Sequence, residues 1–287
     1  MASLAIAGSL SAQQPAPAPA SPASAAPTAG RGGGFVPPEP LNYDEHDGWT
    51  SLFDGKTLTG WDGNPQVWRV ENGAIVATST TERRVGSTYL IWRGGEPADF
   101  ELKLEMKLDG DIHSGIAYRS FVGTAAAPPR AGAPPAGRAA GAAATPGRAA
   151  QTPPQIPADP KWTLLGPGLD HDYDRANSGN VEERGTPRRE IAWRGGIVRA
   201  LPNERPRLIG SLGDREALLA FIKQDEWNQL HIVARGNQLT HIINGHVMAI
   251  LIDDDKTYFR PKGLIGIAIE QFGTGQVNVR NVWLKEY

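Results

Sequence analysis

The chain has 287 residues, 40% hydrophobic and 21% charged, which is ordinary for a globular protein and leaves room for one or two domains. Its formal net charge of −2 gives no global field that would recruit nucleic acid or an anionic membrane surface. It has no cysteine, which excludes disulfides, thiol catalysis and Cys-ligated zinc, and no apolar run long enough to cross a membrane as a helix.

Residues 1–12 form a short apolar stretch ending in small residues. It resembles the apolar region and cleavage site of a secretory leader, without the basic segment that usually precedes one, and predicts export to the periplasm or the medium. Residues 13–46 are rich in Ala, Pro, Ser and Gly and are expected to be a disordered tether. The folded domain is expected over 47–287. A second Ala/Pro/Gly-rich stretch, 123–160, is expected to be a disordered insertion in a loop, because strand patterns flank it.

Within the domain the pattern is that of strands. Residues 49–54, 67–70 and 75–77 are short apolar runs, the last two joined by Asn72-Gly73, a strong hairpin signal. Residues 88–92 are another strand. Residues 98–109 alternate Phe100, Leu102, Leu104, Met106 and Leu108 with Glu101, Lys103, Glu105 and Lys107, which predicts a half-buried strand with one wet face. Residues 114–121 are its partner. Further strands are expected at 190–193, 196–200, 264–270 and 276–285, and a three-strand meander at 227–234, 238–243 and 246–252, turned by Gly236-Asn237 and Asn244-Gly245. Residues 214–223 read as one short helix of ambiguous apolar spacing. About a dozen strands with regularly spaced turn signals, and no βαβ alternation, predict an all-β antiparallel sandwich.

The stretch 168–184 stands out. Asp170, Asp172 and Asp174 recur at every second position, so in a strand they share one face, where crowded like charges destabilise. Three readings fit: a sugar site, an irregular Ca²⁺ site, or a solvated edge strand. An EF-hand does not fit, since Arg175 stands at the loop's glycine position and Val181 at its twelfth. Paired carboxylates at i and i+2 suit acid/base work on a glycosidic bond. Glu182 and Glu183 point in opposite directions if extended, so only one can return to such a site.

Several landmarks line up in order: the block Gly48-Trp49-Thr50-Ser51-Leu52-Phe53-Asp54-Gly55-Lys56-Thr57-Leu58-Thr59-Gly60-Trp61, then Trp68-Arg69-Val70-Glu71-Asn72-Gly73, Ser114-Gly115-Ile116-Ala117-Tyr118-Arg119, Glu226-Trp227-Asn228, Gly236-Asn237, His241, Asn244-Gly245 and Arg280-Asn281-Val282. Together they resemble the 3-keto-disaccharide hydrolase family. That resemblance implies a concanavalin A-like jelly roll and action on sugars oxidised at C3. The chain departs from the family pattern at Gly168-Leu169-Asp170-His171-Asp172, where members often carry Gly-aromatic-Glu-x-Gln, and at Ala268 and Glu270, where many carry Gln and His.

A ketone at C3 acidifies the proton at C2. A base removes it, and the group at C1 leaves by elimination; this path needs a base, an enolate stabiliser and help for the leaving oxygen. The sequence nominates Asp170 or Asp172 as base, Arg119 or a bound divalent cation as stabiliser, and Glu183 or Glu270 at the leaving group. His113, His171, Arg184 and Trp193 are nominated for substrate binding, Trp193 as an aromatic platform for a sugar ring. No resident cofactor is certain; a divalent cation such as Ca²⁺ is the one candidate. The expected partner is a carbohydrate, and the alternative function is a non-catalytic carbohydrate-binding module of the same fold. His231 and His241 are expected to be structural.

Overall fold

The computed structural model describes residues 38–39, 41–123 and 156–287. The expected leader at 1–12, almost all of the tether and most of the insertion lie outside these described residues. The folded unit spans Asn42–Tyr287.

Period-2 alternation resolves into seventeen strands among the described residues: β1 Thr50–Ser51, β2 Trp61–Asp62, β3 Trp68–Glu71, β4 Ala74–Ser79, β5 Thr88–Trp92, β6 Phe100–Asp109, β7 Ile112–Val122, β8 Leu164–Asp172, β9 Val181–Arg184, β10 Arg189–Ala192, β11 Gly196–Ala200, β12 Arg207–Ser211, β13 Asn228–Arg235, β14 Gln238–Ile243, β15 His246–Asp253, β16 Leu264–Gly273 and β17 Gly275–Glu286. They form two sheets. The ten-stranded one runs β12-β11-β15-β14-β13-β6-β17-β4-β3 with β1 on β17, and the seven-stranded one runs β10-β9-β8-β7-β16-β5-β2. Pairing is antiparallel except between β11 and β15, where Ile197 faces Ile250 in a parallel ladder. Neighbours distant in sequence, such as β6 with β17 and β7 with β16, give the sandwich its jelly-roll character.

The core lies between the sheets. Phe100, Leu102, Leu104, Met106 and Leu108 of β6 face Ile116 and Tyr118 of β7, Leu169 of β8 and Ile265, Ile267 and Ile269 of β16 in one buried cluster. Burial of such side chains, each contributing about 1.5–3 kcal/mol, is the main force holding the two sheets together. The hairpin at Asn72-Gly73 has both residues at positive φ, 51° and 77°, as a two-residue turn matched to strand twist requires.

Four details differ from the sequence reading. The outer face of β6 is not uniformly wet: Lys103 is only 2% exposed. Its ammonium lies 4.3 Å from the Trp49 ring centre and 5.2 Å from that of Tyr43, whose hydroxyl donates to Leu230 O at 2.6 Å. The end of the expected tether therefore packs on the sheet. The insertion also ends earlier than expected, since Gly86 N donates to Ile156 O at 2.7 Å and a single 3₁₀ turn forms at Pro160–Trp162. The expected helix at 214–223 contracts to α1, Arg215–Leu219, capped by Asp214, which accepts from Glu216 N and Ala217 N at 2.9 Å. Finally, β8 starts at Leu164 and includes Gly166, Pro167 and Gly168, residues that read as a breaker in isolation but are tolerated in a strand buried along its length.

The outer face of the seven-stranded sheet is divided. At one end Tyr89, Ile91, Ala117, Leu164 and Ala268 form a second apolar cluster, with Trp162 and Leu264 packed against it. Trp162 is anchored there by Nε1–H donating to Asp62 at 2.9 Å. The other end carries polar residues.

Candidate active site

Register decides which residues meet at that polar end. In β8 Leu169 packs in the core, so Asp170 and Asp172 point outward. Asp170 lies opposite Gly115 of β7, and Asp172 opposite His113. A Cβ at position 115 would come within 2.5 Å of Leu169 O, so only glycine permits this close pairing. In β9 Val181 is core, so Glu182 and Arg184 face outward and Glu183 inward. β10 then brings Glu190 opposite Glu182. Glu270 completes the group from β16. His113, Asp170, Asp172, Asn177, Glu182, Glu190, Glu270 and Phe272 line a cleft of about 340 Å³.

Two charge systems face each other there. His113 Nδ1 meets Asp172 Oδ1 at 3.0 Å, and this hydrogen bond, chiefly, raises the imidazole pKa to about 9. The second system is a crowd of carboxylates around Arg184. The guanidinium pairs with Glu182 through Nε, with Glu270 through Nη2 and, at 3.4 Å, with Asp170, while Nη1 meets the Tyr89 hydroxyl. Burial pushes three carboxyls of this crowd up: Asp170 rises well above the usual range, helped by the Glu182 charge, Glu182 rises to about 6, and Glu190 rises as well. Burial and the crowding of like charge both oppose ionisation of the whole group at once.

Asn180 fixes this wall from behind. It is fully buried; its Nδ2 donates to Glu190 Oε2 at 3.1 Å and its Oδ1 accepts from Arg194 N at 2.8 Å. Its backbone carbonyl meets His241 Nδ1 at 3.0 Å, and His241 Nε2 lies 2.7 Å from the Tyr118 hydroxyl inside the core. His241 is thus structural, as is His231, which pairs with Glu101 at 2.8 Å.

Asp170, Glu182 and Glu190 offer one oxygen each within 4.8 Å of one another. An all-oxygen donor set suits a hard cation such as Ca²⁺ or Mg²⁺, although Arg184 already supplies positive charge to the same carboxylates.

Of the residues nominated from sequence, Asp170, Asp172, His113, Arg184 and Glu270 come together. The others do not. Glu183 faces inward and pairs with Arg188, which also bonds Asp253 at 2.8 Å. Arg119 is 1% exposed at the opposite end of β7, donating to Ala98 O, to Gly236 O at 2.7 Å and to Asp99 at 3.1 Å. It has no route to an enolate in the cleft. His171 is buried with an unpartnered Nδ1 and shares a crevice with Leu108 of the facing sheet; burial pushes its pKa down to about 4. Asp174 leaves the row after β8 ends and caps the turn at Ala176 N, 2.9 Å away. Trp193 lies in a neighbouring cleft rather than in this one. Sequence reasoning missed Glu182, Glu190 and Tyr89. For Glu182 the signal was present, since one of the Glu182-Glu183 pair had to face outward; the other two depend on cross-strand register.

The protein is thus an antiparallel β-sandwich with a carboxylate-rich cleft on the outer face of its seven-stranded sheet. The sequence profile of the 3-keto-alpha-glucoside-1,2-lyase-like domain matches residues 48–285, and the chain belongs to that family. It is similar to a 3-keto-disaccharide hydrolase of Bacteroides thetaiotaomicron, 33% identical over 79 residues, which is 25% of this chain and 27% of that protein. Among solved structures it is similar to a protein proposed to be a glycosyl hydrolase from Parabacteroides distasonis, at 18% identity and TM-score 0.48, covering 83% of this chain and 99% of that one. It is also similar to the carbohydrate-binding module CBM66 of Bacillus subtilis, at 10% identity and TM-score 0.41, covering 83% and 96%.

Proposed function

We propose that the protein cleaves 3-keto-glycosides by elimination in the cleft between His113 and the carboxylates of β8, β9 and β10. The observation that carries this reading is a pair of groups pushed apart in pKa across one cleft: Glu182 at about 6 and His113 at about 9. Between those values one is a free base and the other a charged acid, the condition for concerted acid/base work near neutral pH.

The step balances as follows. Glu182 takes the proton from C2, whose acidity comes from the C3 ketone. The electron pair forms the C1=C2 bond and the C1–O bond breaks. The departing oxygen takes a proton from the His113 imidazolium, which Asp172 orients. The products are an unsaturated 3-keto sugar and the free alcohol; addition of water across the new double bond makes the overall result a hydrolysis. Arg184 offsets the carboxylate charge that would otherwise oppose enolate formation. A divalent cation on Asp170, Glu182 and Glu190 would occupy the base, so this path runs without one and EDTA should not slow it.

The test is to incubate the protein with a 3-keto disaccharide and with its parent disaccharide, with and without EDTA, and to measure released monosaccharide. Cleavage of the oxidised sugar alone is expected, with loss of about 10²-fold or more in Asp172→Asn. Cleavage of the parent sugar, or full activity in Asp172→Asn, sinks the mechanism. Binding of both sugars without cleavage would make the protein a carbohydrate-binding module instead.

A further inference from the structure

Removing the C2 proton drives negative charge onto the C3 oxygen, and a preorganised donor aimed at that oxygen is the usual means of stabilising it. Neither arginine nominated from the sequence is free for the task. Arg119 is buried away from the cleft. Arg184 turns each guanidinium nitrogen to an acceptor of its own: Nε to Glu182, Nη2 to Glu270 and Asp170, and Nη1 to Tyr89. The side chains lining the cleft are His113, Asn177, Phe272 and five carboxyl groups. Of these, only His113 and Asn177 carry N–H groups. His113 Nδ1 is held by Asp172, and its other ring nitrogen serves the leaving oxygen.

Asn177 is fixed without the use of its side chain. It sits in the turn between β8 and β9, where the backbone is pinned on both sides. Arg215 donates to Ala176 O at 2.6 Å, Arg194 to Ser178 O at 2.6 Å, and Asn180 N to Asn177 O at 2.9 Å. Asparagine in a turn usually serves the turn, by bonding the local backbone or by adopting positive φ. Asn177 does neither: its carboxamide makes no hydrogen bond among the described residues, and its φ is not positive. A half-buried carboxamide that the fold does not use therefore lines the cleft.

Its place also matches the sugar. Ser178 Oγ accepts from Asp172 N at 2.9 Å and donates to Asp172 O at 3.2 Å, while Gly179 N donates to Asp170 O at 2.9 Å. Residues 177–179 thus run beside β8 on the side away from β7, and His113 and Asn177 flank Asp172 from opposite sides. C1 and C3 flank C2 in the same way. We infer that Asn177 Nδ2–H donates to the C3 oxygen while Glu182 takes the C2 proton and His113 serves C1. The inference rests on the reading of the cleft as the 3-keto-sugar site. As the C2–H bond breaks, its electron pair forms C2=C3 and the ketone pair moves onto the oxygen; both return, forming C1=C2 and restoring C3=O, as the C1–O bond breaks. The Asn177 bond strengthens as that charge develops, so its loss falls on kcat rather than KM.

The test uses the full chain with a 3-keto-glucoside and with 1,5-anhydro-3-keto-glucitol, which has an acidic C2 proton but nothing to expel at C1. Asn177→Ala and Asn177→Asp, the second of the same shape without N–H donors, should each cut kcat on the glucoside by about 10²-fold with KM within about threefold. The melting temperature should not change, since the side chain bonds nothing in the fold. Both variants should slow C2–H exchange of the anhydro sugar in heavy water, followed by NMR, by a similar factor. Cleavage that both variants retain in full overturns the inference and leaves the 3-keto-sugar reading standing. So does activity lost in Asn177→Ala but kept in Asn177→Asp, which would make shape the requirement and not donation. Cleavage lost with exchange intact would place Asn177 at the leaving group and overturns it as well. If the wild type neither cleaves the glucoside nor exchanges the C2 proton, the reading itself fails and the inference falls with it.

Discussion

Glu182 and Glu183 are adjacent, chemically identical and opposite in consequence. One points into a cleft with a carboxyl raised to about 6; the other is buried against Arg188. Exchanging each for glutamine separates the roles. Glu182→Gln should cut kcat on a 3-ketoglycoside by about 10²-fold or more with little change in melting temperature. Glu183→Gln should leave kcat within about twofold and cost about 1–3 kcal/mol of stability, because a charge-assisted bond to a buried guanidinium is lost. Reversed outcomes would move the active face to the other side of β9. On the proposed mechanism Glu182 and His113 together fix the pH dependence. Below about pH 6 Glu182 is protonated and cannot accept the C2 proton; above about pH 9 His113 loses the proton it must donate. A plot of kcat/KM against pH should be bell-shaped with limbs near those values, and Asp172→Asn should shift the upper limb toward the ordinary histidine value near 6.5.

Strands were legible where side chains alternate. β5, β11 and β14 match the expected 88–92, 196–200 and 238–243, and β6 differs by two residues at one end. They carry the β-branched and aromatic residues that a half-buried pleat selects. β12 was not legible: Arg207-Leu208-Ile209-Gly210-Ser211 lacks alternation because the strand is an edge with little to bury. The site was legible in part for the same reason. Period 2 put Asp170 and Asp172 on one face of β8 without reference to anything else. Which acids would lie opposite them was set by the pairing of β8 with β9 and β9 with β10, and register between strands leaves no local trace in the chain. Arg119 illustrates the failure from the other side. The sequence nominated it for the cleft, but its φ of 44° sits at a bulge that breaks the alternation of β7, and its guanidinium goes to Ala98 O and Gly236 O instead. Turns were the most readable elements. Gly73→Ala should therefore lower the melting temperature by about 2–4 °C: the added methyl meets nothing within 4 Å, so the cost is that of an L-residue in the left-handed region, about 1 kcal/mol.

Across the whole molecule the acidic cleft lies at the end of the β7–β8 pair where β6 turns into β7, with His113 near the start of β7 and Asp172 closing β8. The chain leaves the described fold at Gly123, at the other end of β7. It returns at Ile156, which bonds Arg84 and Gly86 just before β5, and Thr88 of β5 pairs with Ile269, next to Glu270 of the cleft. Replacing 124–155 with a Gly/Ser linker of the same length should leave kcat and KM on a 3-ketoglycoside within about twofold, since the described fold lines the cleft by itself and a flexible linker of equal length leaves the closure entropy almost unchanged. A loss of activity with the fold intact would mean that the insertion reaches the cleft.

The Lys103 contact has a consequence of a different kind. A lysine amine normally advertises itself to acylating and alkylating reagents, but this one lies beneath Trp49 and Tyr43 on the face of β6. Burial also holds its pKa below the usual lysine range, and uncovering removes that shift, so the exposed amine reacts as an ordinary lysine would. The sheet thus carries a built-in chemical reporter: the rate at which an amine-reactive label reaches Lys103 measures how often residues 43–49 lift off, without any probe being added to the protein.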